Sequence, residues 1–305
     1  MDNQHEILRV QLIQLLDRFV EVCQKYNLRY YLAYGTALGA IRHKGLIPWD
    51  DDIDVHMPRG DYEKLQNLQT SVWGDLVLTS WRLTPNNQYH FLKLENPNTT
   101  VIEQLDPLYV GGVYIDVFPL DKAPDNDEVL LDHLRKIRKI QEKYYVISVK
   151  HGRHYHGLVN IIKFYYRHYV YQRQKIQDVW ERLSREYETS NFDFYMDFHQ
   201  PDDWHYKPMP MKWFGTGIKV DFEGRKFTVP ENCDAYLTHI YGDYMTPLPE
   251  DKREGHEFLY LNMYERVSNE QIDRIVRELR EKEAFKFSLN DEINYWRTKL
   301  SIAKK

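Results

Sequence analysis

Apolar residues near the N-terminus recur at intervals of three and four. Between residues 4 and 26 they are Ile7, Leu8, Leu12, Leu15, Leu16, Phe19 and Cys23. Because this period matches the helical repeat, these side chains share one face of a helix. The pattern therefore predicts an amphipathic helix whose apolar face packs on the core.

Short apolar and aromatic runs, separated by turn residues, continue as far as residue 118. Strands are predicted at residues 29–34, 76–79, 89–94, 100–103 and 113–118. Turns that contain Pro and Asn precede the third and fourth of these strands, at residues 85–87 and 96–98. A pair of glycines precedes the fifth. Pro58 and Asp61 are expected to open a helix. Together these elements predict a sheet with helices around it.

The second half of the chain changes character. Long helical patterns rich in basic and aromatic residues run from 126 to about 188 and predict a helical insertion. Residues 189–210 have no clear period and predict a surface loop. Its acids and histidines fit no standard metal site by their spacing. They are His199, Asp202, Asp203 and His205.

The C-terminal third is predicted to contain a hairpin, a short helix and a tail. The hairpin is centred on Phe222, Glu223 and Gly224, and a helix is expected at residues 233–241. Residues 269–302 read as a charged helical tail. We therefore divide the chain into residues 1–125, 126–205 and 206–305.

Composition limits the class of protein. The 305 residues are 42% hydrophobic and 14% aromatic, enough to bury a sizeable core. A formal charge of −5 gives no reason to expect nucleic acid as a partner. Cys23 and Cys233 are too few for a disulfide framework, and we find neither a signal peptide nor a long apolar span. A reducing, cytoplasmic setting is expected.

Carboxylates cluster at the end of the segment YGTALGAIRHKGLIPWDDDIDV, residues 34–55. In an extended chain Asp50, Asp52 and Asp54 project to one face, whereas Asp51, Ile53 and Val55 project to the other. Acids on one face repel one another unless a cation neutralises them, and oxygen ligands suit Mg²⁺ or Mn²⁺. A solvated acidic turn is the alternative. An EF-hand loop is excluded, because Val55 stands where its glycine belongs.

A small-residue turn precedes the acids. Gly35 and Thr36 lie between a predicted strand and a helix-compatible run, so backbone N–H groups are offered to an anion and Thr36 is able to cap the helix. The spacing allows this turn and the acids to lie on adjacent strands. Arg42, His43 and Lys44 offer cations to a phosphate, although such a run is also typical of a solvated helix end.

These motifs resemble the LicD family of phosphocholine and related phospho-alcohol transferases, which includes the fukutin-related proteins. YGTALGAIRHKGLIPWDDDIDVHMPRGDYEKL resembles the family's first motif, and YIDVFPLD its third-acid strand. FEGRKFTVPENCDAYLTHIYGDYM and PLPEDKREGH resemble its late and closing segments. The resemblance implies an α+β fold with a nucleotidyltransferase-like mixed sheet flanked by helices and carrying a helical insertion.

The resemblance also implies the roles of individual residues. Asp52, Asp54 and Asp116 would bind the metal, with Asp116 drawing the acceptor's proton. Lys93 matches a basic position expected to contact donor phosphate, unless it faces solvent. Asp116 lies between Tyr114 and Phe118 on an apolar strand, where an unpaired acid is costly. Its partner is the metal, or it caps a neighbouring loop.

The implied reaction is transfer of a phospho-alcohol from a CDP-alcohol donor, CDP-choline in the first place, with release of CMP. The acceptor would be a sugar hydroxyl of a cell-surface glycan or its lipid-linked precursor. Three alternatives stay open: a nucleotide-sugar glycosyltransferase, a nucleotidyltransferase that adds the nucleotide itself, and a catalytically silent scaffold of the same fold.

One basic segment is not explained by this chemistry. Residues 143–177 contain seven Lys or Arg, four His and seven Tyr but no Asp or Glu. Basic helices with tyrosines favour the headgroup region of an anionic membrane, so peripheral contact at the inner face of the cell membrane is one interpretation. The other is an ordinary helical pair that packs its tyrosines on the core and its cations against water or the acidic tail.

Overall fold

The computed structural model describes residues 3–85, 87–148, 158–199, 208–253, 255 and 258–286. The helices are α1 (Asn3–Lys25), α2 (Tyr34–Arg42), α3 (Arg59–Gln66), α4 (Asp127–Ser148), α5 (Leu158–Val170), α6 (Arg173–Ser184), α7 (Cys233–Tyr241) and α8 (Asn269–Lys286). The strands are β1 (Tyr31–Leu32), β2 (Asp54–Pro58), β3 (Val77–Thr79), β4 (Leu92–Leu105), β5 (Leu108–Ala123), β6 (Phe194–Met196), β7 (Met209–Pro210), β8 (Ile218–Phe222), β9 (Arg225–Val229) and β10 (Tyr260–Asn262).

The main sheet is mixed and has the order β1-β2-β5-β4-β10. Strands β2 and β5 are parallel, whereas the other pairs along this order are antiparallel. Strand β3 pairs with β4, β6 with β5, and β7 with β6, while β8 and β9 form a separate hairpin. Helices and strands are both substantial, so the predicted α+β class is confirmed.

Helix α1 buries the apolar stripe that its sequence predicts. Leu12, Leu16, Phe19 and Cys23 are almost fully buried, and the helix packs on β4 and β5. The apolar residues of α1 recur with the helical period because the face that they form covers the central strands of the sheet.

Strand β4 is longer than the sequence predicts. Two strands with a turn at residues 96–98 were expected, but one strand runs from Leu92 to Leu105 with an irregular register after Asn96. Thr99 makes this possible, because its hydroxyl donates to the Asn96 carbonyl at 2.7 Å and accepts from Val113 N–H at 2.8 Å. Gly112 leaves room for the displaced Asn96 carbonyl. The predicted turn is therefore a bulge.

The helices α4, α5 and α6 follow β5 and form the predicted helical segment. Trp81 packs edge-to-face on Tyr144 at 5.2 Å and on Trp180 at 5.3 Å, measured between ring centroids. The chain returns to the sheet through β6, where Phe194 is the register partner of Ala123 in β5. The last residue of β5 and the first residue of β6 thus lie side by side.

Residues 189–210 are not simply a surface loop, as their composition suggested. They supply β6 and β7, and Asp197 and His199 are buried. The prediction failed because β6 is only three residues long and is defined by pairing with β5, which no local period reveals. Asp202, Asp203 and His205 lie outside the described residues.

The C-terminal elements follow the prediction closely. The hairpin β8–β9 turns at Glu223 and Gly224, both with positive φ, and α7 spans the expected residues. Helix α8 covers the first part of the tail, and residues 287–302 lie outside the described ranges. The proposed division at residues 125 and 205 stays a prediction. None of the described helices combines the length and the apolar character needed to cross a membrane.

Candidate metal and phosphate site

Residues 50–54 and Asp116 meet at the parallel strand pair of β2 and β5. Asp54 is the register partner of Asp116, and Asp116 N–H donates to the Ile53 carbonyl at 2.9 Å. On the other side, Ala33 N–H donates to the Asp54 carbonyl at 2.9 Å, so the end of β1 lies beside the start of β2. The strand that leads into residues 35–36 and the strand that begins at Asp54 are therefore adjacent, as the spacing predicts.

The acids just before β2 do not alternate. Strand β2 begins only at Asp54, and carboxylate oxygens of Asp50, Asp51 and Asp52 all lie within 4.8 Å of one another. The expectation that Asp51 faces away from Asp50 and Asp52 is therefore wrong, because residues 50–53 do not form a strand. Ile53 is fully buried, as predicted.

Burial and mutual repulsion raise the pKa values of these acids. Burial and the neighbouring Asp52 charge raise the pKa of Asp50 to about 8. Burial, followed by the charges of Asp52, Asp116 and Asp50, raises the pKa of Asp54 well above its usual range. The buried Oδ2 of Asp50 has no hydrogen-bond partner among the described residues. Acids that repel one another and leave a buried oxygen unsatisfied fit a hard divalent cation.

Lys93 lies on β4, directly opposite its register partner Asp116 on β5. Its side chain is 1% exposed, and its Nζ is 3.0 Å from Asp116 Oδ1. The alternative of a solvent-facing lysine is therefore wrong. Burial raises the pKa of Asp116 to about 7, although Lys93 acts to lower it. Contact between Lys93 and donor phosphate stays a prediction.

Helix α2 begins at Tyr34, so Gly35 and Thr36 lie in its first turn. Thr36 does not cap the helix. Its side chain is buried, and its hydroxyl accepts from Asp54 N–H at 2.9 Å, which joins the helix start to β2. Gly35 is needed for space, because a Cβ there would lie 3.0 Å from Asp50 Oδ2. The helix N-terminus thus lies against the acid segment, where its dipole favours negative charge.

The three predicted basic residues have different partners in the structure. Arg42 donates to the Tyr244 carbonyl at 2.7 Å, and partial burial followed by the nearby Arg253 lowers its pKa. His43 directly follows the last residue of α2, and its pKa is lowered by burial and by Arg42. Lys44 is exposed, and its carbonyl accepts from Glu223 N–H at 2.9 Å. The backbone at Lys44 is therefore tied to the β8–β9 turn.

Two residues of the C-terminal segment reach the acids and were not singled out by the sequence. The pKa of Tyr241 is raised by burial and then by Asp54, Asp50 and Asp52, so its hydroxyl lies near the acid cluster. A Cβ at Gly255 would lie 2.6 Å from the Trp49 carbonyl and 3.4 Å from Asp51 Oδ2. Only the resemblance of residues 247–256 to a closing motif signalled this approach.

A buried polar network behind the turn was also missed. Tyr34 donates its hydroxyl hydrogen to Asp197 Oδ2 at 3.0 Å, and its N–H donates to the Tyr236 hydroxyl at 3.0 Å. His56 lies between them, with Nδ1 3.4 Å from the Tyr236 hydroxyl oxygen and Nε2 3.9 Å from Asp197 Oδ2. No sequence signal pairs these residues, because Tyr34 and Tyr236 are 202 positions apart.

Comparison with known proteins gives the site a context. Residues 27–130 match the family model described as LicD/FKTN/FKRP, nucleotidyltransferase domain. Over 256 residues the chain is 28% identical to the lipopolysaccharide cholinephosphotransferase LicD of Haemophilus influenzae, covering 80% of this chain and 92% of that protein.

Shorter matches fall on uncharacterized proteins of Rickettsia prowazekii and Rickettsia typhi. They are 41% and 39% identical over 59 residues, which is 19% of this chain and 22% and 19% of theirs. The match to the family model includes the strand pair that carries Asp54 and Asp116. Residues 27–130 are therefore a nucleotidyltransferase domain of the LicD family, as the sequence motifs predict.

Proposed function

We propose that the chain is a phosphotransferase that moves a phospho-alcohol, phosphocholine in the first place, from its CDP-alcohol to a hydroxyl of a cell-surface glycan or lipid-linked precursor. The observation that carries this proposal is the cluster of repelling acids at the Asp54–Asp116 strand pair. The likeness to a lipopolysaccharide cholinephosphotransferase over most of both chains supports the same reaction class.

The acids supply the ligands for Mg²⁺ or Mn²⁺. Asp52, Asp54 and Asp116 are the proposed ligands, and the oxygens of Asp50 and Asp51 lie close enough to Asp52 to take part. When bound, a divalent cation stabilises negative charge on the transferred phosphoryl group and on the leaving CMP. The unsatisfied Asp50 oxygen and the raised pKa values of Asp50 and Asp54 support this assignment.

The residues around the acids position the donor. Gly35 and the first turn of α2 offer N–H groups to its pyrophosphate, and the Thr36 hydroxyl keeps this turn against β2. Arg42 lies in the region of Tyr241 and Arg253, where a cation helps to hold a phosphate.

In the transfer step an acceptor hydroxyl oxygen attacks the phosphorus that carries the alcohol. A new P–O bond forms while the bond from that phosphorus to the CMP oxygen breaks, and CMP leaves with the electron pair. The products are a phosphodiester and CMP. Asp116, which lies beside Asp54 at the start of the strand pair, draws the hydroxyl proton as the general base.

CMP release tests the proposal. The purified chain is incubated with Mg²⁺ and a choline-free lipopolysaccharide acceptor, and with CDP-choline, CDP-ethanolamine or CDP-ribitol in turn. We expect CMP release with one of these donors, and an acceptor whose mass increases by that phospho-alcohol.

The same assay decides between the alternatives. Turnover of UDP-sugars without turnover of CDP-alcohols would indicate a glycosyltransferase. An acceptor that gains CMP would indicate a nucleotidyltransferase. If neither Mg²⁺ nor Mn²⁺ supports any release of CMP, the scaffold alternative is favoured. An Asp52→Asn variant is the matched blank for contaminating activity.

A second proposal concerns the basic segment. In α5 the aromatic residues Tyr165, Tyr166 and Tyr169 are 54%, 67% and 90% exposed, and Lys163 and Arg167 on the same helix are exposed as well. An exposed helix that combines tyrosines with cations fits an anionic membrane surface. We infer that α5 contacts such a surface and brings the active site to a lipid-linked acceptor.

The described tyrosines of residues 143–177 differ in burial. Tyr144 is buried between Trp81 and Trp180, as expected of a core-packed helical pair. The α5 tyrosines instead face away from the core. Residues 149–157 of this segment lie outside the described ranges.

A further inference from the structure

The ammonium of Lys93 is enclosed by protein on every side that the described residues show. It lies 3.0 Å from Asp116 Oδ1 and 3.6 Å from Glu103 Oε2. The ring centroids of Tyr114 and Tyr89 are 3.2 Å and 4.2 Å from its Nζ. Charge pairing and the negative faces of aromatic rings both hold a cation at this point.

Glu103 holds the two tyrosines in place around the ammonium. The hydroxyls of Tyr89 and Tyr114 both donate to its carboxylate, Tyr89 at 2.6 Å. The ammonium of Lys93 is thus buried among fixed partners.

A fixed ammonium limits what Asp116 can bind. Two-metal phosphoryl-transfer sites hold their ions about 3.5–4 Å apart, with a carboxylate that gives one oxygen to each ion. A Mg²⁺ ion lies about 2.0–2.1 Å from each of its oxygen ligands. An ion on Asp116 Oδ1 would share this oxygen with the ammonium 3.0 Å away and would be repelled by its charge. Oδ2 is therefore the oxygen better placed for a metal.

We propose that Lys93 takes the place of a second divalent cation, so that the site binds a single metal ion, which meets Asp116 through one oxygen. The inference rests on the proposed metal-dependent transfer and deepens it. Lys93 would supply the second positive charge of the site through Asp116, in place of the predicted contact with donor phosphate.

Counting bound Mn²⁺ tests the inference. Wild-type protein, Lys93→Met and Lys93→Arg are titrated with Mn²⁺ without substrate, and free ion is followed by electron paramagnetic resonance and bound ion by calorimetry. We expect one ion per chain for wild type and for Lys93→Arg, which keeps the charge. Lys93→Met removes the ammonium at nearly unchanged volume and is expected to bind two.

The double variant Lys93→Met/Asp116→Asn is the matched control, and it should return to one ion because the freed carboxylate is gone. Two ions in wild type, or one ion in both wild type and folded Lys93→Met, would overturn the inference. If Lys93→Met does not fold, the wild-type and Lys93→Arg counts decide. An absence of any bound ion in wild type would count against the proposed metal-dependent function, which separates the two failures.

Discussion

The hydroxyl of Tyr34 donates to Asp197 at 3.0 Å, which joins the first turn of α2 to the segment after β6. Tyr34 has a φ of 43°, a conformation that most residues avoid. Against the effect of burial, the nearby side chains of His199 and His56 hold the pKa of Asp197 well below its usual value. Tyr34 is thus held by a charged partner beside Gly35.

We predict that Tyr34→Phe destabilises the protein by about 1.5–3 kcal/mol, the range for a hydrogen bond to a charged group. It should also raise KM for the donor more than it lowers kcat, because the turn that receives the pyrophosphate loosens. Thermal melting and steady-state kinetics measure both effects. Tyr165→Phe, which changes an exposed tyrosine, is the control. Equal behaviour of the two variants would contradict the prediction.

Removal of one acid from the cluster should separate activity from stability. Asp52→Asn or Asp54→Asn is expected to abolish transfer but to melt no lower than wild type without metal, because it relieves repulsion. The melting temperature should rise less with Mg²⁺ than that of wild type. Asp75→Asn, at an exposed position, is the control. The ligand assignment fails if both variants keep the full metal response.

The metal-free protein should show a pH dependence that Mg²⁺ suppresses. Asp50 and Asp116 have pKa values of about 8 and about 7 when folded, above the ordinary 3.8. A raised folded pKa means that the stabilising contribution is complete below about pH 4 and is lost as the pH rises through 7 and 8.

The difference in melting temperature between Asp50→Asn and wild type should therefore grow in favour of the variant from about pH 5 to about pH 8 in EDTA. With saturating Mg²⁺ the trend should reverse, because a metal requires the ionised acids. A difference that stays constant across this range in EDTA would rule out the raised pKa of Asp50.

Asp116→Asn should lower the transfer rate by more than the ~10²-fold that general-base loss alone costs. The amide also removes an ion-pair partner of Lys93 and a proposed metal ligand. Donor binding, measured by calorimetry with CDP-choline, should survive in part. Asp125→Asn changes an exposed acid and should leave the rate unchanged. Near-normal turnover of Asp116→Asn would remove this residue from the mechanism.

Helix α5 should bind anionic vesicles through its charges. We expect cosedimentation with phosphatidylserine-containing liposomes but not with pure phosphatidylcholine, and weaker binding as salt rises. Lys163→Gln/Arg167→Gln should lose most of this binding. Arg274→Gln/Lys282→Gln removes two exposed cations from α8 and should keep it. Equal binding to neutral vesicles would contradict an electrostatic contact.

Elements with a strong local pattern could be predicted from the sequence. Helix α1 has a regular apolar period, and the β8–β9 hairpin has turn residues at Glu223 and Gly224. In both cases nearby residues decide the structure, so a single sequence carries the information. The proximity of Asp54 and Asp116 was implied only by the family resemblance, which assigned both to one metal.

Features that depend on distant residues were not predicted. The bulge in β4 needs Thr99 and Gly112 together, and the burial of Lys93 needs the tyrosines and Glu103 around it. Thr36 has the chemistry of a helix cap, but Asp54 N–H competes for its hydroxyl. Only the folded sheet brings these partners together.

The pairing of Ala123 with Phe194 has a consequence for the history and engineering of this enzyme. Residues 124–193 leave and rejoin the sheet at neighbouring positions, in the way that a tight turn would connect two antiparallel strands. A segment with adjacent ends can be exchanged without rethreading the rest of the chain. Grafting the helices of another family member between Ala123 and Phe194 would therefore produce chimeras that keep Asp54, Asp116 and Lys93 in register.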